Sequence, residues 1–119
     1  MTMNCNSNNA GCGQPIRFTD ALAKINNEDK TTNSNKYQRS IAIERYANFL
    51  RHAGIEDSVR AMTMVTWNAW RLYLMRSDYS ICTANTYCSC IKRLLVLWNK
   101  ACNGSIDISQ FTGITEKMK

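Results

Sequence analysis

Residues 83–101, TANTYCSCIKRLLVLWNKA, limit what this chain can fold into more than any other stretch. At 100° per residue, Ala84, Tyr87, Cys88, Ile91, Leu94, Leu95, Trp98, Ala101 and Cys102 fall within one helical arc of roughly 140°. An apolar arc of that width is a core face, so the helix has to be covered by other elements. Asn85, Ser89, Lys92, Arg93, Asn99, Lys100 and Asn103 fall on the opposite side without a carboxylate among them. A solvated helix face ordinarily mixes charge signs.

The same period recurs upstream. FTDALAKI places Phe18, Leu22 and Ile25 on one side, with Thr19 as the predicted N-cap of a short first helix. A polar connector, NNEDKTTNSN over 26–35, leads to KYQRSIAIERYANFLRHAG. That segment predicts a second helix over 36–53, with Ala42, Tyr46, Phe49, Leu50 and Ala53 buried and Gly54 as its left-handed C′ residue. A loop carrying Glu56 and Asp57, read as solvated carboxylates, precedes TWNAWRLYLMRS. There Thr66 is the predicted cap of a third helix over 66–76, with Trp67, Trp70 and Leu74 facing inward. The fourth helix, capped by Thr83 or Ser80, runs to Cys102 and stops at Asn103 and Gly104. IDISQF predicts one more helical turn, and TGITEKMK an exit strand or linker. No segment alternates with period two, so the predicted fold is all-α, a compact bundle of four main helices.

A chain of 119 residues has room for about one core. Residues 1–15 are rich in Asn, Gly and Ser and read as a flexible tail, 16–112 as the helical domain and 113–119 as a linker. Fifteen Lys and Arg against nine Asp and Glu give a net charge of +6, which points to an anionic partner, most commonly nucleic acid. Nothing resembles a membrane-surface helix with a protruding Trp/Phe/Leu face, a membrane span or a secretory signal, so the expectation is a cytoplasmic protein with reduced thiols and no membrane partner.

Catalytic and metal chemistry find no footing. Cys88 and Cys90 point about 200° apart on a helix and cannot chelate one ion. Cys5 and Cys12 lack ligand spacing, and His52 is the single histidine. No nucleophile elbow, Gly-rich phosphate loop or acid pair is present, so neither an enzyme nor a cofactor is expected. Thr83, Asn85, Thr86 and Ser89, by contrast, occupy the first turns of the fourth helix, where free N–H groups and the positive dipole end suit phosphate oxygens. Lys92 and Arg93 extend that strip by a turn, although a capped, solvated face would look the same.

From Lys36 onward, KYQRSIAIERYANFLRHAG, MTMVTWNAWRLYL and SICTANTYCSCIKRLLVLWNKACNGSIDISQF together resemble the core-binding, SAM-like domain of the tyrosine recombinase or phage integrase family. The shared features are a helix ending in an aromatic-Leu pair and Gly, a shorter helix opening at Thr, and a Ser/Thr-rich start to a long helix with two adjacent basic residues. Members often carry Asn-Pro after the last helix, where this chain has Asp107-Ile108. The resemblance implies half of a clamp around double-stranded DNA at a recombination-site arm, in the bacterial cytosol and associated with the nucleoid. It implies a fragment without the catalytic domain, monomeric alone and tetrameric on DNA as the full-length protein. By the same resemblance the DNA contacts are Lys36, Arg39 and Ser40 on the second helix and Thr83, Asn85, Thr86, Ser89, Lys92 and Arg93 on the fourth; the alternative is a basic helical protein-interaction module without a nucleic-acid partner, in which the same strip docks an acidic protein.

Overall fold

The computed structural model describes residues 17–114, so the tail expected over 1–15 and the stretch 115–119 lie outside the described residues. Four helices follow one another: α1 (Phe18–Glu28), α2 (Asn33–Ala53), α3 (Met64–Arg76) and α4 (Ile81–Cys102), with a 3₁₀ turn at Val59–Ala61. There is no strand among the described residues, and the all-α bundle read from the period-3.6 pattern is the fold.

Hydroxyl caps set three of the helix starts, two of them upstream of the predicted position and the third at Ser80, one of the two caps expected for the fourth helix. Thr32 accepts the N–H of Asn35 at 3.1 Å, so α2 begins at Asn33 rather than Lys36. Thr63 accepts the N–H of Thr66 at 3.3 Å, and Ser80 that of Thr83 at 3.1 Å. Thr66 and Thr83 are therefore not caps but the third helical residues whose N–H groups the caps hold.

The start of α1 is built differently. Thr19 does not cap; it is buried, and both its N–H (2.9 Å) and its hydroxyl (2.6 Å) donate to the carboxylate of Asp57. The carboxylate read as solvated thus closes the N-terminus of a helix 38 residues earlier, where free N–H groups and the helix dipole favour negative charge. At the opposite ends of α2 and α4, Gly54 (φ 70°) and Asn103 (φ 54°) take the left-handed conformation, which Gly and Asn tolerate best.

Ring packing fixes how α2 meets α3. Tyr46 and Phe49 lie 5.1 and 5.6 Å from Trp70, and Phe49 and His52 lie 5.4 and 5.9 Å from Tyr73, so residue numbers rise together and the helices run in the same sense. Trp67, Trp70 and Leu74 are fully buried, as predicted, whereas Ala53 is exposed. On α4 the buried arc is narrower than expected. Ala84, Cys88, Ile91, Leu94 and Leu95 are buried, Tyr87, Trp98 and Cys102 are half-buried, and Ala101 is exposed. Cys82, Cys88 and Cys90 are free.

After α4 the predicted helical turn does not form. Asp107 instead accepts the N–H (3.1 Å) and hydroxyl (2.7 Å) of Ser109, and Phe111 donates its N–H to the carbonyl of Ile108 (2.9 Å). This strap packs on the core. Phe111 stacks on Trp67 at 4.9 Å, the indole N–H of Trp67 donates to the carbonyl of Thr112 (2.8 Å), and Ile114 is buried. Core packing therefore continues past the boundary expected at 112.

Candidate functional site

Helices α2 and α4 pack in opposite senses. Arg39 lies near Cys90, whereas Arg45, later in α2, sits 6.0 Å over the ring of Tyr79, just before α4. Between the start of α2 and the first turns of α4 lies an open cleft of about 350 Å³. Asn35, Gln38 and Arg39 line it from α2, and Cys82, Asn85, Thr86, Ser89, Cys90 and Arg93 from α4. Two guanidinium groups, three carboxamides and two hydroxyls converge there, and no carboxylate is part of the lining.

Five of the nine residues predicted as DNA contacts meet in this cleft: Arg39, Asn85, Thr86, Ser89 and Arg93. Lys36, Ser40, Thr83 and Lys92 stand outside its lining. Several of the nine already have internal partners. Arg39 is only 9 % exposed, and its Nη1 donates to the carboxylate of Asp29 at 2.8 Å. The hydrogen bond from Arg39 holds the Asp29 carboxyl below the usual carboxylate range, and the charges of Arg39 and Arg93 act in the same direction. Asn85 accepts the N–H of Ile114 at 3.0 Å, and a side chain at Gly113 would collide with that same carboxamide. Asn85 therefore serves the strap, and Arg39 the connector between α1 and α2.

Thr86 donates its hydroxyl to the carbonyl of Cys82 (2.9 Å), Ser40 to that of Tyr37 (2.7 Å), and the hydroxyl of Thr83 accepts from Ser80 (3.1 Å). The ammonium of Lys36 reaches the carbonyl of Asn27 at 2.8 Å. That leaves Ser89, Lys92 and Arg93, whose side chains make no hydrogen bond or ion pair among the described residues, and which form a polar run on α4. Asn99, on the same polar strip, belongs to the strap, since its carboxamide exchanges hydrogen bonds with both the N–H (3.1 Å) and the carbonyl (2.9 Å) of Ile106.

Asn35 and Gln38 escaped the sequence reading. Their signal was present in NSNKYQ, but a helix start placed at Lys36 left Asn35 in a connector and the first turn without a face. The wider setting is cationic. From Val59 to Ile106 the chain carries Arg60, Arg71, Arg76, Lys92, Arg93 and Lys100 against the single carboxylate of Asp78. Burial pushes the Cys90 thiol up, so it stands in the cleft wall as a neutral group at neutral pH. Among the described residues no group of three or more His, Cys, Asp or Glu could hold a metal ion, and no helix is long and apolar enough to cross a membrane.

What this arrangement can do chemically is donate. Arginine forks and carboxamide N–H groups match the oxygens of phosphate, and hydroxyls can complete the set. The chain matches no protein-family model, no curated protein and no solved structure.

Proposed function

We propose that this chain binds double-stranded DNA, as the core-binding half-clamp of a tyrosine-recombinase-type integrase of a mobile element. One observation carries the reading: a cleft with two arginines, three carboxamides and no carboxylate opens beside the unpaired Ser89, Lys92 and Arg93. In this reading Arg93, Lys92 and Ser89 take backbone phosphates directly, with Gln38 and Asn35 facing them from α2. Arg39 is held in the cleft wall by Asp29, and Asn85 keeps its strap contact. The proposal places the protein in the bacterial cytosol near the nucleoid, monomeric alone and assembled in tetramers on DNA when joined to a catalytic domain. It requires no cofactor.

Fluorescence anisotropy with a labelled duplex tests the reading. A footprint of about 4 to 6 phosphates predicts a log–log salt slope near −4 to −5. Lys92→Ala with Arg93→Ala flattens that slope by about 2 and weakens every sequence alike, while melting stays within about 0.5 kcal/mol because both side chains lack internal partners. A nicked duplex gives no covalent adduct with this chain. Salt-independent affinity, or no binding at low salt, refutes the reading.

A further inference from the structure

A chemically different surface lies between the C-terminal halves of α2 and α3. Phe49, Ala53, Ala69, Leu72 and Tyr73 form the apolar walls of an open groove of about 400 Å³, and His52, Arg76 and Ser77 complete its lining. Leu72 is 40 % exposed although it lines a groove. Val65, 80 % exposed, lies seven positions earlier in α3, so Val65, Ala69, Leu72 and Arg76 follow one helical stripe at the spacing i, i+4, i+7, i+11.

Arg76 is the one formally charged side chain in the groove lining, and the carboxylate of Asp78, one position past Ser77, lies outside it. Arg76 forms no ion pair among the described residues, no carboxylate lines the groove, and Arg51 and His52 end α2 beside it. Since α2 and α3 run in the same sense, their C-termini lie at one end of the groove, and Arg51 and Arg76 offset the partial negative charge of the two helix ends. Neutralising a dipole does not account for the bare aliphatic stripe that leads away from it. An apolar trough with a cationic end complements a helix or extended segment that carries an apolar anchor next to acidic residues.

We propose that the α2/α3 groove docks an acidic amphipathic segment of a partner protein, with a Leu or Phe anchor against Leu72 and Tyr73 and an adjacent Asp or Glu paired with Arg76. This surface is separate from the α2/α4 cleft and does not depend on the DNA reading. The test is selection of phage-displayed random 12-residue peptides on the full chain, with counter-selection on Leu72→Glu.

Enriched peptides should carry Leu or Phe beside Asp or Glu. A selected peptide should bind the wild type at least about tenfold more tightly than Leu72→Glu, in line with loss of a central anchor. Arg76→Glu should also weaken binding and remove its salt dependence, whereas the Lys92→Ala, Arg93→Ala variant should bind unchanged. Leu72 and Arg76 are both exposed, so each variant stays folded, Arg76→Glu melting at a lower temperature for loss of the charge that offsets the end of α3, and binding is read well below both melting transitions. Failure to enrich against the variant overturns the proposal, as does a neutral or basic consensus, or a peptide sensitive to Lys92 and Arg93. A concentration-dependent dimer abolished by Leu72→Glu would assign the groove to a second copy and overturn it equally.

Discussion

Replacing Asp57 with Ala removes, in one step, the acceptor of two hydrogen bonds that fasten α1 to the loop after α2. The first, from the N–H of Thr19 at 2.9 Å, is a helix cap supplied from outside the helix, and losing such a cap costs about 0.5–2 kcal/mol. The second, from the Thr19 hydroxyl at 2.6 Å, leaves a side chain only 3 % exposed without its acceptor. An orphaned buried donor adds about 1–3 kcal/mol. The backbone carbonyl of Asp57 still takes the N–H of Phe18 at 3.2 Å, so the loop stays in register and the two losses add without wider collapse.

A total of about 1.5–5 kcal/mol corresponds to a fall in Tm of roughly 6–40 °C for a domain of this size. Urea titration followed by tryptophan fluorescence measures it, because Trp98 packs edge-on against Phe18 at 5.4 Å and reports on α1 directly. Thr19→Val alone should cost about 1 kcal/mol, and the double variant should show a coupling of at least about 1 kcal/mol. A Tm within 2 °C of wild type for Asp57→Ala, or strictly additive single effects, refutes the capping argument.

The strap supplies a second stability test: Phe111→Ala should cost about 3–5 kcal/mol because the ring is buried and stacked on Trp67, whereas half-buried Trp98→Ala should cost less, about 1–3 kcal/mol, in the same urea experiment. The depressed Asp29 carboxyl predicts an acid limb: its contribution is complete above the unfolded value near ~4 and disappears as pH falls through the lower folded value. Asp29→Asn should therefore flatten stability against pH below roughly pH 4, and parallel curves for the two proteins would exclude a role for the ion pair. Burial pushes the Cys88 thiol up to about 11, so iodoacetamide at neutral pH should label exposed Cys82 and spare Cys88 until the chain unfolds, as peptide mass spectrometry can show.

Features governed by local periodicity were legible in the sequence. The apolar faces of α2, α3 and α4, the left-handed ends at Gly54 and Asn103, and the all-α architecture all follow from spacing and residue type. Helix starts shifted because KTTNSN, MTMVT and SICT each offer several hydroxyls within one turn, and periodicity does not choose among them. Long-range partners were not legible at all. Nothing in the loop sequence marks Asp57 as the cap of α1, and nothing in KYQRS marks Arg39 as the partner of Asp29 rather than a free cation. A polar residue on an outward arc reads the same whether it meets water, a ligand or another part of its own chain.

The polar face of α4 illustrates the difference, because it serves two purposes at once. Asn85 and Asn99 are fourteen residues apart, about 21 Å along the axis at 1.5 Å per residue, and share nearly the same azimuth. Asn99 fixes Ile106 and Asn85 fixes Ile114, so the strap leaves the end of α4 and returns beside it toward the helix start. Phe111 and Ile114 anchor that return in the core, which gives Asn85 and Asn99 a structural duty in an acid-free strip. Ser89, Lys92 and Arg93 are the part of the strip that the strap does not hold, and they adjoin the cleft reached by Arg39 and Gln38. The absence of carboxylates along α4 is not needed to hold the strap, since carboxamides pair with backbone N–H and C=O groups whatever charge lies nearby. Under the proposed function the acid-free character of the strip has its physical use at the cleft, where a backbone phosphate would meet Arg93.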